Sequence, residues 1–131
     1  MKRILAGLLT CLLIISMVSV AFAESLAWMG LNTRCNGSSV TKSRTDLKPS
    51  LNISSFTFNG VNVQEYVVHK SSGKQVSPSY SITRTGEQSN MQYSKESISY
   101  VKVGDSYYPG FISGKTGNSS FVLRVTFTFK P

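Results

Sequence analysis

The ten residues before the C-terminal proline constrain this chain more than any other segment. Phe121, Leu123, Val125, Phe127 and Phe129 alternate with Arg124, Thr126, Thr128 and Lys130, and only Val122 breaks the pattern. Successive side chains of a strand point to opposite faces, so a period of two marks a strand with one buried and one wet face. An apolar face of this size needs a second apolar layer to cover it. The segment therefore reads as a central strand, and the chain as a layered β-protein.

Upstream, the same alternation recurs in shorter pieces. Leu51 and Ile53 share one parity, Phe56 and Phe58 the other, and the switch at Ser54-Ser55 reads as a β-bulge. Asn59-Gly60 follows, two residues that tolerate the positive φ of a type I′ turn, so a hairpin is expected there with Val61, Val63 and Val67 on its far side. Ser71-Ser72-Gly73 is a further turn. Short strands are expected over 78–85, 97–103 and 106–112, with polar loops at 85–90 and 114–120. Gly104-Asp105 makes a tight connection. Pro109-Gly110 interrupts the last of these strands and places it at an edge or a bulge. Residues 24–49 are less regular, with Leu26, Trp28 and Gly30 alternating weakly. Roughly six to eight short strands, with turns about every ten residues, predict an all-β fold. The expected architecture is a small antiparallel sandwich, immunoglobulin-like, or a barrel. The Cys…Trp…Cys signature of true immunoglobulin domains is missing.

The other end of the chain has a different character. Lys2 and Arg3 precede an uncharged apolar run from Ile4 that closes on Ala21-Phe22-Ala23. A basic start, an apolar middle and small residues at −3 and −1 suit the export machinery and signal peptidase. Residues 1–23 are therefore expected to be a cleavable signal peptide, and 24–131 a single secreted domain with no transmembrane span. The apolar run is long enough to serve as an anchor, but its small-residue end and missing basic stop favour cleavage. Cys11 follows Thr10 early in that run, a poor context for lipidation. One cysteine, Cys35, remains in the mature chain, so no internal disulfide is available. Small eukaryotic secreted domains are usually disulfide-rich, so a bacterial source is favoured. The unpaired Cys35 is itself a candidate for an intermolecular disulfide or a reactive thiol.

Enzymatic chemistry finds little support. His69 is the one histidine, too few ligands for a metal site of the usual kind, and no cofactor motif is present. A Cys35–His69 dyad is the minimum for covalent catalysis, with Arg34 favouring the thiolate, but nothing in the sequence places the pair together. Asp46, Glu65, Glu87, Glu96 and Asp105 mostly fall in loops or at strand ends, none in a context expected to raise its pKa by burial. A non-enzyme is expected.

Binding is the better class. The chain carries 14 Lys and Arg against 6 Asp and Glu, a net charge of +8 that falls to about +6 once the leader is removed. A basic surface steers towards polyanions. For an exported protein these are envelope polymers, and nucleic acid is disfavoured. Lys42, Arg44 and Lys48 cluster in the sequence, and Arg124 and Lys130 share the wet face of the last strand. Tyr66, Tyr107 and Tyr108 are candidates to stack on a glycan. The expected function is a small secreted binding protein engaging an anionic envelope polymer, a glycan or a partner protein. The alternative is a secreted antimicrobial or toxin-like effector acting on bacterial envelopes.

Overall fold

The structure, a computed structural model, describes residues 23–29, 33–45, 48–88, 91–114 and 122–131. Its strands are β1 (Ala23–Met29), β2 (Arg34–Asn36), β3 (Val40–Thr41), β4 (Ser50–Thr57), β5 (Val63–His69), β6 (Tyr80–Ser81), β7 (Gly86–Glu87), β8 (Ser106–Ser113) and β9 (Val122–Lys130). A 3₁₀ helix, Lys95–Tyr100, lies between β7 and β8. The strands form two antiparallel sheets, ordered β1-β9-β4-β7 and β2-β8-β5-β6, with β3 also on β8. Their inner faces meet in the core, where the Phe111 and Phe127 rings lie 5.1 Å apart. The expected sandwich therefore forms, open rather than closed into a barrel. The segment 1–23, expected to be a signal peptide, lies outside the described residues except for Ala23, the first residue of β1.

β2 and β3 both pair with β8 and act as one interrupted strand. Counted so, the first strand pairs with the last, the second with the seventh, the third with the sixth and the fourth with the fifth. A chain folded into a ribbon of such pairs and then rolled is the double Greek key of a jelly roll. β9 is central, between β1 and β4, as its alternation requires. Leu123, Val125, Phe127 and Phe129 are buried on its inner face; Phe121 and the 115–120 loop lie outside the described residues. The bulge expected at Ser54 is present: the β4–β9 register skips this residue, and its Oγ donates to the Thr126 carbonyl at 3.1 Å. Beyond the bulge Phe56 and Phe58 turn to the core side and stack at 4.6 Å.

Other expectations need correction. Asn59 and Gly60 do adopt positive φ (51° and 79°), and the Val61 N–H bonds the Phe58 carbonyl at 2.9 Å. The turn nevertheless passes from one sheet to the other. β4 is already paired by β9 and β7, so β5 has no free edge of β4 to join. The segment 97–103 is not a strand, because its first part lies in the 3₁₀ helix. Of 78–85, only Tyr80–Ser81 is strand.

β8 is not an edge strand, although Pro109 lies within it. Val67, opposite Pro109, spends its N–H on the Ser77 hydroxyl and its carbonyl on the Val76 N–H, both away from β8. The Pro109 nitrogen therefore faces the other way, towards the break between β2 and β3. There the Pro109 carbonyl accepts the Gly37 N–H at 2.8 Å, and no ladder donor is missed.

Gly110 has a separate reason. A Cβ built on it would lie 2.4 Å from two carbons of the Tyr66 ring, so only a bare backbone lets that ring lie across β8. Gly110→Ala is expected to cost about 3 kcal/mol through this overlap, read as a shifted denaturant midpoint. A Tyr66→Ala background should reduce the added cost to below about 1 kcal/mol.

Candidate functional site

The expected clusters divide sharply by burial. Lys42 is not a surface cation. It is 2% exposed, because it shares parity with Val40 and its side chain turns inward, with Nζ 5.3 Å from the centre of the Tyr93 ring. Tyr66 is no stacking platform either, at 2% exposed, with the Arg34 guanidinium 5.4 Å over its ring. Tyr107 is fully buried. Its hydroxyl donates to the Tyr100 carbonyl at 2.6 Å and accepts the Lys102 N–H at 2.8 Å, and burial pushes its pKa up. Tyr108 remains half-buried on the outer face of its sheet. Arg124 and Lys130 are both exposed but six residues apart on β9, roughly 20 Å at strand rise.

What the fold gathers is a different set. Two adjoining concavities share Lys48. One, of about 330 Å³, is lined by Lys48, Gln92, Tyr93, Lys95 and Ile98. The other, of about 220 Å³, is lined by Arg44, Lys48, Pro49, Ser50, Glu87, Gln88 and Met91. Lys130 lies at the same end, its Cα opposite that of Ser50. The Arg84 guanidinium bonds the Glu87 carbonyl at 3.2 Å, which brings a further cation to the rim. Arg44 and Lys48 were both legible as candidates, but Lys95 and Ile98 were missed.

The 3₁₀ helix explains that omission. At three residues per turn, Lys95 and Ile98 fall on one side, so a cation and an apolar side chain 41% exposed line the same cleft. The strand expected over 97–103 took in Ile98 but not Lys95, which hid this pairing. Lys48, Lys95 and Lys130 are exposed, and none forms an ion pair with a carboxylate among the described residues. The one acid lining either concavity, Glu87, accepts the Ser50 hydroxyl at 3.2 Å. Such an arrangement can hold an anion between lysines while its apolar body rests on Tyr93 and Ile98.

His69 does not meet Cys35. Their Cα partners on β8 are Tyr107 and Phe111, and β2 and β5 flank β8 on opposite sides. Strand rise and spacing put the two Cα atoms roughly 16 Å apart, too far for a dyad. His69 Nε2 instead lies 3.0 Å from Asp105 Oδ2, and Nδ1 2.7 Å from the Ser72 hydroxyl. This Ser–His–Asp trio ties the 70–74 turn to the turn before β8. The nearby N–H groups that could hold an oxyanion are spent: Gly73 N–H bonds the His69 carbonyl, and Lys74 N–H bonds Ser72 Oγ. Neither concavity touches the trio, so it reads as a clamp. Burial, and then the Glu24 carboxylate, raise the Cys35 pKa above the ordinary thiol range, the opposite of what a reactive thiol needs. Among the described residues no three His, Cys, Asp or Glu side chains gather to hold a metal ion, and no helix is long and apolar enough to cross a membrane.

Glu65 overturns the reading of the acids as unburied. It is 1% exposed, neither carboxylate oxygen has a hydrogen-bond partner, and burial pushes its pKa up to about 8. Its parity with Val63 and Val67 was the available signal.

Compared with known families, curated proteins and solved structures, the chain matches none.

Proposed function

We propose that this chain is a small exported, non-enzymatic binding module, and that its Lys48-centred cleft holds an anionic envelope polymer or glycan. The observation that carries this reading is the pair of adjoining concavities sharing Lys48, with Arg44 on one side and Lys95 above an apolar floor on the other. A lysine offers phosphate or carboxylate a point charge without demanding one geometry, which suits a repeating polymer. Jelly-roll domains also include lectins, an analogy of fold alone.

The test is binding of residues 24–131 to isolated envelope fractions across a salt series. Binding should weaken steeply as salt rises. A Lys48→Ala, Lys95→Ala double variant should bind about 30-fold more weakly, on the order of 1 kcal/mol for each lysine at an anionic surface. Arg124→Ala, at the far end of β9, should bind like the parent. Equal losses in the two variants would make the attraction diffuse, and no binding to any fraction would sink the reading. Growth inhibition in the same assay would favour the effector alternative.

A further inference from the structure

We infer that Glu65 is a pH-responsive latch on the edge strand β6, sealed while its carboxyl is neutral and released when the carboxyl ionises. Glu65 lies on the inner face of β5, directly opposite Tyr80 of β6 on one side and Phe111 of β8 on the other. Its two oxygens and the Tyr80 hydroxyl are all buried without a partner. A carboxyl in such a place stays protonated because no donor or cation repays its ionised form.

No neighbouring element supplies that charge. On β5 itself, His69 is committed to Asp105 and Ser72. On β8, the Tyr107 hydroxyl is committed to backbone groups of Tyr100 and Lys102. On β6, Tyr80 is the titratable group. The inward residues of β4 and β9 that face this sheet, Leu51, Ile53, Val125 and Phe127, carry none. The buried Lys42 has its ammonium over the Tyr93 ring. Burial is the sole cause of the Glu65 perturbation.

Once ionised, the carboxylate must reach water, and the elements around it differ in how easily they yield. β8 is held to β5 over seven residue pairs and carries β2 and β3 on its other edge. In the facing sheet, β4 and β9 present apolar side chains, and the inward Glu24 of β1 has its carboxylate tied to the Ser38 N–H and hydroxyl. β6 pairs with β5 through only two residues, Gln64↔Ser81 and Glu65↔Tyr80, with one further bond from the Ile82 N–H to the Val63 carbonyl. Peeling it away hydrates Glu65 and Tyr80 together and leaves the rest of the sandwich paired. Local opening of this kind draws on the least protected element of a fold.

Hydrogen exchange followed by mass spectrometry on residues 24–131, between pH 6 and 9 and corrected for the intrinsic rate, tests this. Exchange in a peptide covering 80–82 should accelerate about tenfold per pH unit up to pH 8 and then level off, the signature of one proton lost on opening. A peptide covering 107–113 of β8, which opens only with the whole domain, should share that slope but stay far more protected at every pH. Glu65→Gln, with Glu65→Met as a second variant should the amide fold poorly, should abolish the slope at 80–82. Equal protection of β6 and β8 across the pH range would mean that only global unfolding hydrates Glu65, and a slope that survives both variants would assign the effect elsewhere. Either outcome overturns the latch.

Discussion

Val125→Asp is expected to leave the chain unfolded, with no cooperative thermal transition by circular dichroism. Val125 is fully buried near the middle of β9, between Leu26 of β1 and Phe56 of β4. A carboxylate there would have no donor within the apolar layer, and the effective penalty for burying an unpaired ion is several kcal/mol. The lost valine burial adds about 1.5–3 kcal/mol. Together these approach the whole stability of a domain of this size, about 5–15 kcal/mol. The comparison that isolates the cause is Arg124→Asp. It places the same group one residue away on the exposed face, where surface substitutions cost about 0.5 kcal/mol or less. If Val125→Asp melted cooperatively within about 2 kcal/mol of the parent, the assignment of β9 to the centre of the core would be wrong.

The same strand shows what a sequence of this kind discloses. Alternation along 122–130, the bulge at Ser54 and the positive-φ turn at Asn59-Gly60 are local, and each is found where the pattern put it. Partnership is not local. Nothing in Asn59-Gly60 says whether β4 and β5 lie side by side or in facing sheets; that depends on β9 and β7 already occupying both edges of β4. Pro109 misled for a similar reason, because its missing donor costs nothing only where β2 and β3 leave a gap. The cleft was half legible. Arg44 and Lys48 stand close in sequence, whereas Lys95 and Ile98 meet through a 3₁₀ spacing that period-two reading cannot detect. Tyr66 faces outward, as its parity requires, but the absent Cβ of Gly110 lets its ring sink against β8 and out of the solvent.

Glu65 leads to the second large effect, a loss of global stability as pH rises. Its folded pKa, about 8, lies above the ordinary value of 4.5 that the unfolded chain will show. Between those limits the folded state holds a proton that the unfolded state has released. Stability from this group is therefore complete below about pH 4.5, falls by about 1.4 kcal/mol per pH unit as pH rises, and is spent above about pH 8. The whole excursion is about 5 kcal/mol, which for a domain of this length lowers the melting temperature by on the order of 20 °C. This runs against the usual carboxylate, which an ion pair or hydrogen bond makes stabilising at high pH. The measurement is a set of melting curves from pH 5 to 9 on the parent and on Glu65→Met. The variant should lose the downward slope and, at pH 8, melt higher than the parent, since an apolar side chain of similar length needs no partner in that layer. Matching pH profiles for parent and variant would show that Glu65 is hydrated or paired in the folded state, and would remove the physical basis for the β6 latch as well.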